Sequence, residues 1–482
     1  MQTKTMPEKK SILARPLLSR IAAEAASQKI EIYVVGGFVR DLLLGNEGPD
    51  IDLVVFGDSI AFAKRLQSVL GGSKVVAYPR FETAMFDCQS YRLELVGARP
   101  AWDAPDSAPT LDTDLRRRDF TINAMAMAIG DADFGRILDP LNGAGDLEAG
   151  LIRTAAAPEQ TFGDDPLRML RAVRFAAQLD FQIEASVLDA IKSMAPEIQK
   201  AAQERITAEF QKLMMVPQPS TGLNLFRKSG LSEVIFPELD QLAGVEQRGE
   251  YFHKDVFHHS LKVVDNISPY TDNFALRLVA LMHDIAKPQT KRFTPGHGWT
   301  FHGHEELGAR MVDRIGRRMK LPRKTIEYVA KLVRLHMRPT QLSDDSVTDS
   351  AVRRLMVEAG EDIEDLMTLC RADITSKNPR RVERYLANFD YVEKRIGEVE
   401  EKDELRNFKP AITGNEIMAN LGMPPGPIIG EIKQRITDAI LDGEIPNERE
   451  ACLDFFLKIR DEMIAHHRSD SDGSGKNAKK IR

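Results

Sequence analysis

The segment EIYVVGGFVRDLLLGNEGPDIDLVV, Glu31 to Val55, constrains the fold more than any other in the chain. Ile32–Val35 is a short β-rich run, Gly36-Gly37 breaks it, Val39–Leu44 is helical in pattern, and Ile51–Phe56 returns to β-branched residues. Side chains alternate along a strand, so Asp50 and Asp52 point to one face and Ile51 to the other. Two carboxylates on one side of a strand repel unless a cation sits between them. Mg²⁺ suits that position because it takes oxygen ligands, commonly one or two carboxylates together with substrate phosphates. The glycines add bare backbone N–H groups and room for close approach, which suits phosphate. The pair is neither a dinucleotide fingerprint nor a Walker A loop, since the later glycine and the Gly-Lys-Ser/Thr end are missing.

From Glu31 to Arg153 the pattern stays mixed, with KVVAY, TAMFDC, YRLELVGA and AMAMAIG reading as strands or buried elements. After Pro158 the β signal fades and helical periodicity runs to about Ala465. The expected class is therefore α+β, an α/β head followed by all-helical domains. With 482 residues, several domains are required. The expected boundaries are an N-terminal extension over 1–27, a head over 28–155, a helical neck over 156–248, a second helical domain over 249–376, a C-terminal helical region over 377–466, and a disordered tail over 467–482. The tail, HHRSDSDGSGKNAKKIR, has nothing to bury.

Composition excludes several classes. Cys88, Cys370 and Cys452 are far apart and odd in number, which argues against a disulfide framework or a cysteine zinc site and fits a reducing, cytoplasmic location. No stretch is long and apolar enough to span a bilayer, and the N-terminus lacks the apolar core of an export signal, so no membrane is expected. A net charge of −6 argues against a generally basic coat. Local basic runs at Arg116–Arg118, Arg168–Arg174, Arg314–Lys324, Arg353-Arg354 and Lys377–Arg384 still allow phosphate binding, each being by itself compatible with a solvated helix face.

Six motifs follow in order: VVGGFVRDLLLG, DID, RRDFTINAMA, DPLNGAGDL, DDPLRMLRAVRF and ERITAEFQKL. Over Ile32 to Leu213 this series resembles the bacterial-type tRNA nucleotidyltransferase and poly(A) polymerase family. The resemblance implies a polymerase-β-like head that adds C, C and A to tRNA 3′ ends from CTP and ATP, releasing pyrophosphate. Asp50 and Asp52 would hold Mg²⁺. Glu94, in the alternating YRLEL, is either a third acid leaning toward the same metal or a solvent-facing strand glutamate. Gly36, Gly37 and Arg40 would adjoin the nucleotide. Arg117, Arg118 and Asp119 match the motif that grips sugar and phosphates, with Asn123 as a helper, since guanidinium forks suit phosphate oxygens. DPLNGAGDL, with Asp139, Gly143 and Asp146, reads as turn and hinge.

In DDPLRMLRAVRF, Asp165 and Arg168 are three apart and are expected to share a helix face. One acceptor beside one donor fork meets the Watson–Crick edges of cytosine and adenine and opposes guanine and uracil. Arg171 and Arg174 would extend the basic stripe. Asp164 stands where the family usually has Glu. The loop before RRD, GARPAWDAPDSAPTLDTDLRRRDF, is short and rich in Pro, Ala and Asp, which makes a CC-adding enzyme the closest competitor. Poly(A) polymerase shares the head motifs.

The helical half carries DVFHHSLKVVDN, LRLVALMHDIAKP, FHGHEELGARMV, VRLHMRP and LCRADITSKN. His259, His283, Asp284, His304, His336 and Asp373 resemble the ligand pattern of the HD phosphohydrolase superfamily, with room for a second metal. Imidazole with carboxylate suits a transition metal, Mn, Ni, Fe or Zn, better than Ca. A phosphohydrolase acting on nucleotide ends is the implied chemistry. A third alternative is an HD metallophosphohydrolase whose head only binds nucleotides.

Overall fold

The computed structural model describes residues 2–5, 13–249, 252–295, 298–342, 348–403 and 409–477. The chain forms two units, one of residues 1–241 with 318–321 and one of 242–317 with 322–482. The division at 241/242 falls a few residues before the expected neck boundary at 248.

The first unit is built on an eight-stranded sheet of order β1-β8-β7-β2-β3-β6-β5-β4. The strands are β1 (Gln2–Thr5), β2 (Glu31–Val35), β3 (Asp50–Phe56), β4 (Val76–Tyr78), β5 (Thr83–Cys88), β6 (Tyr91–Gly97), β7 (Ala126–Met127) and β8 (Arg136–Asp139). Central β3 runs antiparallel to β2 and parallel to β6. Its residues alternate as the sequence predicts: Asp50 is exposed, Ile51 buried and Asp52 half-buried. Ile51, Leu53 and Val55 enter a core shared with Leu93 and Leu95 of β6.

The described parts of the expected N-terminal extension, residues 2–5 and 13–27, join the head. β1 pairs antiparallel with β8, and the helix Arg15–Ser27 buries Leu17, Leu18, Ile21 and Ala25 in the head core. Pro16 opens this helix, where its missing N–H costs nothing. Spacing of 17, 18, 21 and 25 forms one apolar stripe, and such a stripe is stable only against a partner surface.

Helices then take over. Leu167–Leu179 buries Leu167, Met169, Leu170, Ala172, Val173, Phe175 and Ala176. The Pro-containing stretch MMVPQPSTGL holds the turn between the helices Gln203–Met214 and Pro219–Lys228, within the first unit.

In the second unit, helices Val256–Ile267, Phe274–Met282, His304–Arg318, Arg323–Leu335 and Ile363–Ala372 carry or adjoin the conspicuous histidines. A separate apolar cluster farther along includes Ile417, Ile432, Ile436, Cys452 and Phe456. The last helix, Arg449–Asn477, runs through the first part of the expected disordered tail. Cys452 and Phe456 anchor its start, and once a helix is nucleated each further turn costs little. Residues 478–482 lie outside the described residues. The three cysteines are free and buried. No described helix is long and apolar enough to cross a membrane.

Candidate active site and metal centre

In the first unit, register brings the acids together. Val35, the last residue of β2, pairs with Asp52, and Asp52 pairs with Glu94 across the parallel β3–β6 ladder. Asp52 therefore stands between the glycine turn and a second carboxylate. Gly36 has φ 74°, and a Cβ there would lie 2.7 Å from Asp52 Oδ2, so only glycine permits this approach. The Gly37 N–H donates to the Asp52 carboxylate. Burial, opposed by Arg118 and helped by Asp50, raises the Asp52 pKa; burial together with Asp52 and Asp50 raises that of Glu94. Burial and mutual repulsion disfavour the ionised forms of these carboxylates, and a divalent cation that takes oxygen ligands, such as Mg²⁺, fits that donor set. They do not converge as tightly as a three-ligand cage: among the described residues, groups of three possible ligand atoms within 4.8 Å occur only in the second unit.

Arg118 lines the same cradle, with its Nη1 3.4 Å from where a Gly36 Cβ would sit. It is held by fully buried Asp114, which accepts at 3.1 and 3.0 Å from Arg118 and also faces Arg99 at 3.4 Å. Sequence reading missed Asp114 and Arg99. The four-residue spacing of Asp114 and Arg118 on one helical turn was the available signal.

Several expected nucleotide ligands instead form one buried polar chain. Arg40 donates to Asp41 and, at 2.8 Å, to Asn123 Oδ1; Asn123 donates at 3.0 Å to Asp119. Asp119 also accepts from the Phe120 N–H at 2.8 Å and from Arg171 at 2.9 and 2.5 Å. Glu209 faces Arg171 at 3.7 Å and accepts from Arg174 at 2.7 Å, and Arg174 also donates to Gln178. Burial alone would raise the Asp119 pKa, but Arg171 and Asn123 more than reverse this and hold it far below the usual range. Arg40, Asp119, Asn123 and Arg174 are thus each hydrogen-bonded to side chains of the protein itself. The physical reason is Glu209: its buried carboxylate draws Arg171 and Arg174 toward the helix Gln203–Met214.

The Asp165–Arg168 expectation also changes. Asp165 lies outside the helix, with φ −147° and ψ 104°, because Pro166 disfavours helical geometry in the residue before it. The two residues do not share a helix face. Asp165 accepts from the Leu167 N–H at 3.1 Å and from Arg205 at 2.8 Å, yet 26% of its side chain stays exposed. Arg168 is buried and donates to the Thr161 and Arg117 carbonyls at 3.3 and 2.8 Å, with Asp164 at 3.2 Å. Arg205, unassigned from sequence, is the guanidinium beside Asp165. Arg117 also pairs with Asp164 at 3.2 Å and lies 5.3 Å from the Trp102 ring. Asp139 accepts from the Gly143 and Ala144 N–H groups, and Asp146 from Thr121, which are turn-forming roles.

The second unit assembles its histidines at helix ends. His283 and His336 each follow a helix, and their Nδ1–H groups donate to the carbonyls three residues back, Ala280 at 2.9 Å and Val333 at 2.6 Å. His304 makes the same bond to Phe301 at 2.8 Å, and His259 Nδ1 lies 3.0 Å from Thr375 Oγ1. At His283 and His336 the last-turn carbonyls lack intrahelical partners, so they accept the Nδ1 proton and orient Nε2 as the prospective ligand atom. His259, His283 and Asp373 form one triad and Asp284, His304 and His336 another. The His259–His283 and His304–His336 Nε2 pairs are each 3.3 Å apart. Asp284 lies between the triads, with Oδ2 3.2 Å from His283 and Oδ1 3.5 Å from His304.

Asp373 Oδ1 is buried 2.9 Å from His259 Nε2 and 3.6 Å from His283 Nε2, so one oxygen and two ring nitrogens converge as a cation's ligands would. Asp284 is pulled well below the usual range, burial being outweighed by His283 and Lys287; burial opposed by Asp284 leaves His283 at about 9. Burial and the neighbouring His283 lower His336 to about 4. A neutral His336 beside an ionised Asp284 is ready to ligate. Lys287, 2.7 Å from Asp284 Oδ2, and Thr375 were missed from sequence. His258 points elsewhere, to Asp255, and His302 belongs to neither triad.

Residues 32–153 match the poly A polymerase head domain, 180–242 the probable RNA and SrmB-binding site of polymerase A, and 256–378 the HD domain. The A-adding tRNA nucleotidyltransferase of Deinococcus radiodurans is 33% identical over 87% of this chain and 93% of its own length. The CC-adding tRNA nucleotidyltransferase of Thermus thermophilus is 33% identical over 87% and 92%. The multifunctional CCA protein of Neisseria gonorrhoeae is 31% identical over 71% and 83%. Two solved structures share the fold: a CCA-adding enzyme in apo form (TM-score 0.60, 24% identity, 95% of this chain and 98% of that one) and the Thermotoga maritima CCA-adding enzyme complexed with tRNA (TM-score 0.58, 23%, 95% and 100%). With a head domain, an RNA-binding segment and an HD domain in this order, and relatives alike over most of its length, the chain belongs to the tRNA nucleotidyltransferase and poly(A) polymerase family.

Proposed function

We propose that this protein adds C, C and A to tRNA 3′ ends from CTP and ATP, releasing pyrophosphate. The observation that carries it is the Asp52–Glu94 pairing beside Gly36, with Asp50 on the same face of β3. Mg²⁺ held by Asp50 and Asp52 would supply charge for the triphosphate and the attacking hydroxyl. The terminal RNA oxygen bonds to the α-phosphorus, the bond to the β-phosphate bridging oxygen breaks, and pyrophosphate departs. Arg118, fixed by Asp114, faces that cradle and offers a guanidinium to phosphate oxygens. Gly36 and Gly37 leave the backbone open for the triphosphate. Asp165, exposed in part, is the acceptor that favours cytosine and adenine. Arg168 completes the fork only by releasing Asp164 and the Arg117 carbonyl, and Arg205 stands nearer.

A partial addition is the second reading, because the Deinococcus and Thermus relatives are named for A and for CC and are equally similar. The short loop after β6 also has anchors, Arg99 to Asp114 and Trp102 against Arg117. A gel at single-nucleotide resolution, with tRNA lacking CCA and CTP, ATP or both, separates the readings. Three additions requiring both nucleotides support CCA addition. A stop after two C residues, one A added only to a CC end, or a long A ladder overturns it.

In the HD domain, the two triads, one containing Asp284 and the other within 3.5 Å of its second oxygen, suit a pair of divalent transition ions, Mn, Ni, Fe or Zn, in a phosphohydrolase. Such ions would polarise a phosphoester and activate water. The protein's own part is to fix four Nε2 atoms and two carboxylates, with Lys287 beside Asp284 to balance charge. A cytoplasmic site of action fits both roles.

A further inference from the structure

A small hairpin rises directly from the HD centre. Its strands, Arg292–Thr294 and Gly298–Thr300, pair antiparallel and form a two-stranded sheet by themselves among the described residues. Both ends are tied to metal ligands. On the entry side, Lys287 lies 2.7 Å from Asp284. On the exit side, the Phe301 carbonyl accepts from His304 Nδ1, and Lys287 lies 5.5 Å from the Phe301 ring.

The hairpin displays aromatics instead of burying them. Phe293 and Trp299 sit directly opposite each other, edge to face at 5.4 Å, and remain 56% and 36% exposed. A cross-strand aromatic pair stabilises a hairpin, but that needs no such exposure. Lys291 lies 4.5 Å over the Trp299 ring, while exposed Arg292, next to Phe293 in the strand, points to the other face. The sequence from Ile285 to His304 contains Lys287, Lys291 and Arg292 but no acidic residue. Open π-faces interleaved with cations are what unpaired, phosphate-linked bases bind: bases stack, phosphates meet Lys and Arg, and double-stranded RNA offers no exposed base faces.

We propose that this hairpin is a stacking platform for single-stranded RNA. An unpaired base rests on Phe293 and Trp299, Lys291 holds the adjoining phosphate, and the strand end is directed to the His–Asp centre. The directing role rests on the phosphohydrolase reading; the binding does not. The platform makes an RNA end, not a free small phosphoester, the preferred ligand of the HD domain.

The chain has two tryptophans, so Trp102→Phe leaves Trp299 as the sole reporter. In that background, full-length protein is titrated with a six-nucleotide single-stranded RNA of C and A, with and without a 3′-phosphate, and with a blunt RNA duplex. Expected are saturable quenching by the single strands, much weaker quenching by the duplex, and a loss of affinity as salt rises. Phe293→Leu, which keeps an apolar body but no π-face, weakens binding about tenfold. Phe293→Tyr retains it, and Lys291→Ala reduces the salt dependence. Absence of quenching, equal binding of the duplex, or unchanged affinity in Phe293→Leu overturns the proposal and leaves the patch to another occupant, such as a protein. Phosphate release from the 3′-phosphorylated strand, in wild type and Asp284→Asn, scores the phosphohydrolase reading separately.

Discussion

Asp119→Asn tests whether the buried polar chain of the first unit is structural. The substitution keeps the shape but removes the charge that Arg171 faces at 2.5 Å. Removing one partner of a buried ion pair costs about 3–5 kcal/mol. The Asp119 side chain is 8% exposed but that of Arg171 is 31%, so solvent screens part of the loss and the lower end applies, about 3 kcal/mol. Trp299→Phe makes Trp102 a reporter of the first unit, which matters because a two-unit chain need not unfold in one step. With a urea slope of about 3 kcal/mol per M, the midpoint falls by about 1 M at pH 7. The folded-state pKa of Asp119 is depressed, so its contribution is complete above the unfolded value, about 3.9, and is lost as pH falls below it toward the folded value. The stability gap between the parent protein and the Asp119→Asn variant is therefore constant from pH 7 to about 5 and narrows toward pH 3. A gap under about 0.5 kcal/mol at pH 7, the scale of an ordinary surface substitution, or one equally wide at pH 3, would refute the electrostatic account.

Asp52→Ala abolishes nucleotide addition on the primer gel while metal content of the HD domain, measured by plasma mass spectrometry after dialysis, is unchanged; loss of both would sink the two-site reading. Asp284→Asn lowers bound metal at both triads, whereas His336→Ala leaves the His259–His283–Asp373 triad loaded, so the first variant retains less metal than the second. Equal retention would remove Asp284 from its shared position. Asp165→Ala relaxes the preference for CTP and ATP over UTP and GTP by about tenfold, the worth of one buried hydrogen bond to a charged group, and unchanged selectivity would assign base choice elsewhere.

Much of the site was legible because strand alternation and residue type act locally. Asp50 and Asp52 share a face of β3 whatever β3 pairs with, and Gly36 marks a turn that only glycine tolerates. The clustering of the HD-domain histidines and aspartates was legible for a related reason: imidazole and carboxylate have few other reasons to recur beside helix ends. Pro166 was also a local signal, and counting helical spacing across it placed Asp165 on a helix it does not join.

Tertiary structure decided which charges are spent. Arg40, Asp119, Asn123 and Arg174 resemble ligands by type, but partners as distant in sequence as Asn123 for Arg40 and Glu209 for Arg174 engage them inside the fold. It likewise drew the helix Arg15–Ser27 into the head core and set Asp284 between two histidine triads. A sequence determines what each side chain can donate, accept or bury. Whether that capacity faces a ligand or an internal partner depends on long-range register and packing, where a buried charge must find its opposite wherever the chain brings it.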